Sequence, residues 1–341
     1  MNGQTKINGR GKANKEAFMS RRVIMIAFSL VLALASSAVG VEPRKVTLGI
    51  LTSGSQDLIH NVMEQQKLLQ KYNIPYERIK VLNPAPLHLF LAEKKVDIGY
   101  GGVTAVARAR AEGKDLIIVH GVFAPVNVVI VKKDSPIQSF AALKGKRIGN
   151  FGGLGSATTG MLMAIARKWY GMDLRKDSEL ITAPGPALAG LLDKDQLAGA
   201  LMGNQESVTL PLSGKYRVVL NLSEEWERRA GRAPATVTIT TNEEFARNNS
   251  DLVRRYLAAY EEAVRYIRTH REVWERYAAT IGLTAKEGAE LQKSWGPRIL
   301  EKWDRQQMEV EADFLELSKQ ILGPKVLKTV PEGLMTDAYN P

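Results

Sequence analysis

The sequence predicts an α/β protein of two lobes, each a mainly parallel sheet flanked by helices, with a ligand cleft between the lobes. Three observations lead there. Strand-like runs alternate with helical runs from about residue 45 to 240. Two glycine-rich turns with hydroxyls, GYGGVT at 99–104 and GGLGSATTG at 152–160, each join a strand-like run to a helical one. A chain of 341 residues, 45% of them apolar, is too long for one small core and sufficient for two lobes of ordinary size.

The first forty residues stand apart from the fold. Residues 1–22 carry six Lys or Arg against Glu16 alone, and 23–35 (VIMIAFSLVLALA) is an uncharged apolar run followed by Ser36, Ser37 and Ala38. This predicts a secretory signal peptide over 1–40, cleaved near 38–40, with translation able to begin at Met19. A retained membrane anchor is the rival, since 23–41 has no charge; the Ala, Ser and Gly at its end favour cleavage. Ser20, Arg21 and Arg22 are also compatible with a twin-arginine route.

From residue 45, strands are expected at 46–51, 78–82, 97–100, 116–119 and 126–131, with helices at 56–71, 87–93 and 104–112 between the first four. Residues 132–136 (KKDSP) form a polar break. A second alternating block has strands at 147–150, 180–182, 198–202 and 216–220 and helices at 156–169 and 186–192. It ends in the β-branched run TVTIT at 236–240, suited to an extended strand. Helices are expected at 251–279, 285–293 and 304–321.

Composition excludes several chemistries. There is no cysteine, hence no disulfide, thiol nucleophile or lipidated cysteine. The formal charge of +11 falls to +6 once the leader's six basic residues and one acidic residue are set aside, a mildly basic surface compatible with an acidic small ligand. The histidines 60, 88, 120 and 270 show no metal-ligand spacing, and only His120 stands near the expected cleft. Arg254, Arg255, Arg265, Arg268 and Arg271 interleave with tyrosines, yet Leu252, Tyr256, Tyr260 and Val264 recur at helical spacing as a buried stripe. A solvated helix follows, and no nucleic-acid partner.

In parallel sheets ligands bind beyond the carboxyl ends of the strands. Four segments there, VDIG at 96–99, GKDLIIV at 113–119, VKKDSPI at 131–137 and LKGKRIG at 143–149, stand in an order that resembles the periplasmic solute-binding proteins of ABC importers. The branch is the nitrate, sulfonate and taurine type, similar to the NMT1/THI5-like proteins. The likeness runs from about 45 to 250 and includes EEFA at 243–246. It implies a type II periplasmic binding protein fold, with lobe I from 44–126 plus 241–331 and lobe II from 127–240. Two crossings near 126–131 and 236–241 would form a hinge that closes over the ligand. It also implies a periplasmic receptor, expected as a monomer and without cofactor, that hands a small anionic solute to an ABC permease and its ATPase. A sulfonate, nitrate or carboxylate would suit.

Carried onto this chain, the resemblance places ligand contacts at Thr52, Ser53 and Gly54, at Gly101, Gly102 and Thr104, and at Phe123 in lobe I. In lobe II it places them at Gly153, Ser156, Ala157, Thr158 and Asn204. Residues of these types can donate several hydrogen bonds to an oxyanion without a full positive charge. Plain structural duties compete: Thr52 to Ser55 could cap a helix, and Phe123 suits core or hinge as well. LMGNQE at 201–206 departs from the acidic and aromatic segment of many relatives, so the solute is not copied from the family. The rivals are a thiamine-pyrimidine-synthase-like enzyme, which needs a cofactor-holding lysine with a histidine, and a ligand-sensing domain feeding a membrane signalling protein.

Overall fold

The computed structural model describes Met1 and residues 45–341, save Ser53, Asn83 and Gly155. The expected leader, Met1 apart, and the candidate contact Ser53 lie outside the described residues.

Ten strands follow one another: β1 (Val46–Leu51), β2 (Tyr76–Val81), β3 (Ile98–Gly102), β4 (Leu116–Phe123), β5 (Val128–Lys132), β6 (Arg147–Asn150), β7 (Glu179–Thr182), β8 (Gly199–Leu201), β9 (Tyr216–Asn221) and β10 (Val237–Asn242). They form two five-stranded sheets ordered β2-β1-β3-β10-β4 and β7-β6-β8-β5-β9. In the first, β10 runs antiparallel between β3 and β4; in the second, β5 runs antiparallel between β8 and β9. The remaining pairings are parallel. The reversed strand in each sheet is the one that arrives from the other sheet, so the chain crosses twice and the protein is two-lobed. Thr236 N–H donates to the Phe123 carbonyl (3.0 Å), tying the two crossings side by side.

Sequence dictates which strands lie deep. All eight residues of β4 (LIIVHGVF) are buried, whereas the edge strand β2 (YERIKV) carries charge and alternates with solvent, which discourages edge pairing. In β5, Val129 and Val131 join the main core while Val128 and Ile130 face a smaller cluster with Leu188 and Leu192, so both faces are covered.

The longer helices are α1 (Gly54–Gln65), α2 (Pro84–Ala92), α3 (Val103–Ala111), α4 (Ala157–Tyr170), α5 (Gly185–Asp193), α6 (Glu206–Leu212), α7 (Leu222–Ala230), α8 (Ser250–Thr269), α9 (Arg271–Thr280), α10 (Ala285–Trp295) and α11 (Arg305–Leu322). Helix α11 lies against α4, where Trp169, Trp226 and Phe314 stack edge to face with ring centroids 5.1 and 5.7 Å apart.

Two expected helices are divided. The run 56–71 stops at Gln65 because Lys67 adopts a left-handed conformation (φ 52°). The run 251–279 breaks at His270, whose ring stacks on Tyr266 at 3.6 Å. Helices α6 and α7 were not expected: Pro211 masks the first, and the second has a single narrow buried face around Leu222 and Trp226. The buried stripe of α8 contains Tyr256, Tyr260 and Val264 as expected, with Leu252 half-buried.

Candidate ligand cleft

The carboxyl ends of β1, β3 and β6 face a cavity of about 230 Å³. Four helix starts border it: Gln56 from α1, Pro84, Leu87 and His88 from α2, Thr104 and Ala105 from α3, and Ala157 and Thr158 from α4 with its cap Ser156. Leu51, Tyr100, Gly101, Gly102, Thr236 and Val237 complete the wall. Among the described residues, no Asp, Glu, Lys or Arg lines it.

The start of α4 is built to leave donors free. Gly152 and Gly153 take left-handed angles (φ 87° and 75°) that side chains resist, which turns the chain sharply after β6. Ser156 then caps the helix: its Oγ accepts from Thr159 N (3.1 Å) and donates to Thr159 Oγ1 (2.8 Å), which in turn donates to Asn150 Oδ1 (2.8 Å). Gly160 N–H reaches the Ser156 carbonyl. The Ala157 and Thr158 amides have no partner among the described residues. Two N–H donors at the positive end of a 14-residue helix thus border the cavity.

At the start of α3 the amides of Gly102 and Val103 are taken, and those of Thr104 and Ala105 have no partner among the described residues. Gly102 N–H donates to His88 Nε2 (3.0 Å) and Val103 N–H donates to the Thr236 carbonyl (3.2 Å). This side also offers side chains. Thr104 is 3% exposed and its hydroxyl has no hydrogen-bond partner among the described residues. Gln56 receives the Ser55 hydroxyl on Oε1 (3.4 Å), leaving its NH2 as the free donor. Burial, with the Arg108 charge second, holds the His88 ring below the usual histidine range, so the ring is neutral at physiological pH.

Six of the sequence-derived contacts meet here: Gly101, Gly102, Thr104, Ser156, Ala157 and Thr158. Of the other described ones, Thr52, Gly54, Phe123, Gly153 and Asn204 do not line this cavity. Gly153 shapes the turn and accepts from Ser156 N (3.2 Å). Thr52 is tied to the Val81 carbonyl through both N–H (3.0 Å) and Oγ1 (3.3 Å). Gly54 is left-handed (φ 72°) and its carbonyl accepts the Tyr277 hydroxyl (3.0 Å). Phe123 is buried edge-on against Trp295 at 5.8 Å, and Asn204 is half-buried ahead of α6. The histidine of the cleft is His88, not His120. His120 is fully buried against Tyr260 (4.8 Å) and Trp303 (6.2 Å), and burial pushes its pKa down to about 4. His88 and Pro84 follow β2, whose carboxyl end points the same way as those of β1 and β3; that direction was the available signal.

Two larger hollows lie elsewhere. One of about 530 Å³ sits where β6 and β8 begin; of its cations Lys132, Lys146 and Arg147, the first and last are paired with Asp195 (2.9 Å) and Glu179 (3.0 Å). One of about 490 Å³ lies between α6 and α10 behind the crossings. Neither gathers helix starts from both sheets.

The profile described as NMT1/THI5 like matches residues 79–272. The chain belongs to the NMT1/THI5-like family. For this NMT1/THI5-like chain, solved structures with the same fold include the periplasmic aliphatic sulphonate binding protein SsuA of Escherichia coli. It has a TM-score of 0.71 and 19% identity, over 86% of this chain and 91% of that one. The alkanesulfonate-binding protein SsuA of Xanthomonas axonopodis pv. citri, bound to MOPS, gives 0.68 and 17%, over 87% and 99%. These likenesses establish the periplasmic binding protein fold. Among curated proteins, one from Haemophilus influenzae named for thiamine biosynthesis is 29% identical over 130 residues, 38% of this chain. The chain spans 41% of that relative's length.

Proposed function

We propose that this protein is a periplasmic receptor of an ABC importer that captures a small anionic solute between its lobes and delivers it to a membrane permease and its ATPase. One observation carries the proposal: four helix starts converge on a cavity that, among the described residues, has no ionic side chains, and where two amides of α4 and the Thr104 hydroxyl have no partner. Neutral donors and helix dipoles hold an oxyanion while leaving it able to depart, as a carrier requires. The fold shared with sulfonate-binding proteins supports the same reading.

In this scheme lobe I comprises 44–126 and 241–331, lobe II comprises 127–240, and the lobes move about the paired crossings. Helix α11, counted with lobe I, touches both α4 and α3 and so lies across the two lobes. Residues 1–40 act as the export signal, and the receptor works as a monomer. The oxyanion sits on the Ala157 and Thr158 amides, with the Thr104 hydroxyl and Gln56 amide from the facing lobe. Leu51, Leu87, Tyr100, Ala105 and Val237 favour a solute with an apolar body, such as an organic sulfonate or carboxylate, over bare nitrate.

The thiamine-related likeness favours one other cargo, a pyrimidine precursor, for which Gln56 and His88 would supply the hydrogen bonds. The lining has no lysine to hold the cofactor that the enzymatic alternative needs. A thermal-shift screen against organic sulfonates, carboxylates, nitrate and pyrimidines tests the proposal, because a ligand that binds only the folded state raises the melting temperature. A shift confined to one anion class supports it. A shift with pyrimidines alone redirects the cargo, and none with any class overturns the receptor reading.

A further inference from the structure

The cleft histidine performs two jobs at once. Its Nε2 lies 3.0 Å from Gly102 N, and an amide can only donate, so Nε2 must hold a lone pair. A neutral ring with a bare Nε2 carries its proton on Nδ1. Protonating Nε2 would set two N–H groups against each other, which adds to the burial and the Arg108 charge that already keep the ring neutral.

The surroundings make that state robust. Of the elements packed on α2, strands β1, β3 and β10 bear no acidic or basic side chain. Charged groups on the remaining two are Glu77, Arg78 and Lys80 of β2 and Arg108 and Arg110 of α3. Arg78 pairs with Glu64, Arg110 with Glu243, and no carboxylate is placed to stabilise a cationic ring. His88 Nδ1 has no partner among the described residues, and His88 lines the cavity.

We propose that Gly102 locks His88 as a neutral Nδ1–H donor, and that this donor makes His88 a specificity-determining residue of the cleft, selecting solutes with an acceptor atom beside the oxyanion end. The selecting role rests on the receptor reading above; the lock does not.

The test is ring-nitrogen NMR on protein labelled with 15N-histidine, with His88 assigned by its loss in His88→Gln. The lock requires the Nδ1–H neutral tautomer, retained as pH falls through 6.5. An Nε2–H tautomer, or a cationic ring at pH 6.5, overturns it. The second arm adds methanesulfonate, benzoate and 3-hydroxypropanesulfonate, the last carrying an extra acceptor. His88→Met, whose thioether can still accept weakly from Gly102 and which carries no N–H donor, should bind 3-hydroxypropanesulfonate about 10-fold more weakly, as one hydrogen bond implies. Its affinity for methanesulfonate and its melting temperature should barely change. Equal loss for all three probes, or none, overturns the selecting role. Failure of every probe to bind the unmutated protein removes the receptor reading together with the selecting role, and the tautomer result still decides the lock.

Discussion

Helices α3 and α4 begin alike in sequence, each after a strand and a run of glycines, yet their first turns are spent differently. At α4, Ser156 satisfies Thr159 N–H and Gly160 N–H uses the Ser156 carbonyl, so the unpaired donors are Ala157 and Thr158, bordering the cavity. At α3, His88 and the Thr236 carbonyl have taken Gly102 N–H and Val103 N–H. Similar motifs therefore leave different amides unpaired among the described residues: Ala157 and Thr158 at α4, and only those beyond Val103, at Thr104 and Ala105, at α3. A glycine-rich helix start is a site only if nothing nearby has already used its amides.

The largest expected effect comes from filling the start of α4. Ala157→Asp places a carboxylate at a helix start, which suits the dipole and should leave the melting temperature equal or higher. The same charge repels an anionic ligand by about 4 kcal/mol at close range, so calorimetric affinity should fall at least about 100-fold. Unchanged affinity would move the anion away from α4.

The partner of Val103 N–H belongs to the second crossing, and that crossing depends on Glu311. This fully buried carboxyl accepts from Ala235 N–H and from Gln307 Nε2 (3.0 Å), beside the Thr236 that holds Val103. Burial pushes its pKa from 4.5 up to about 8. The folded protein thus holds this proton more tightly than the unfolded chain, and its stabilising contribution, complete below about pH 4.5, is lost as pH rises through about 8. Glu311→Gln keeps the acceptor and removes the titration. Urea denaturation at pH 5, 7 and 8.5 should show a variant whose advantage grows with pH; parallel curves would mean that the carboxyl is not protonated in the fold.

A matched pair sharpens the contrast further. Ser156→Ala removes a cap and should cost about 1 kcal/mol. Gly102→Ala should cost less than about 0.5 kcal/mol, because Gly102 has ordinary angles (φ −71°, ψ 127°) and an added Cβ would meet nothing nearer than 3.8 Å. Smallest is Thr104→Val. It removes a buried hydroxyl that has no partner among the described residues, so stability should hold or rise slightly while anion affinity drops several-fold, as thermal shift with and without ligand would show. A clear loss of stability would reveal an internal partner for that hydroxyl.

Much of this was legible in the chain. Alternating strand and helix runs predict the α/β lobes, and the hydroxyl-glycine turns locate six residues of the cleft. Strand β10 shows the limit: TVTIT reads as the end of the second block, but Val237–Asn242 inserts antiparallel into the middle of the first sheet, a pairing no local pattern encodes. His88 shows another. It reads as an ordinary helical residue, and its value arises from a hydrogen bond to Gly102, 14 residues later, which exists only after β3 has paired with β1. Thr52 and Gly54 carry site-like chemistry that packing spends on Val81 and Tyr277. Phe123 could not be told from a cleft aromatic until Trp295 was seen against it.

The most direct measurement follows backbone amide signals while the protein is titrated with the solute that the thermal screen selects. The account predicts that the Ala157 and Thr158 amide protons move strongly downfield while Gly102 and Val103 stay in place. Large shifts at Gly102 and Val103 with Ala157 and Thr158 unmoved would contradict it.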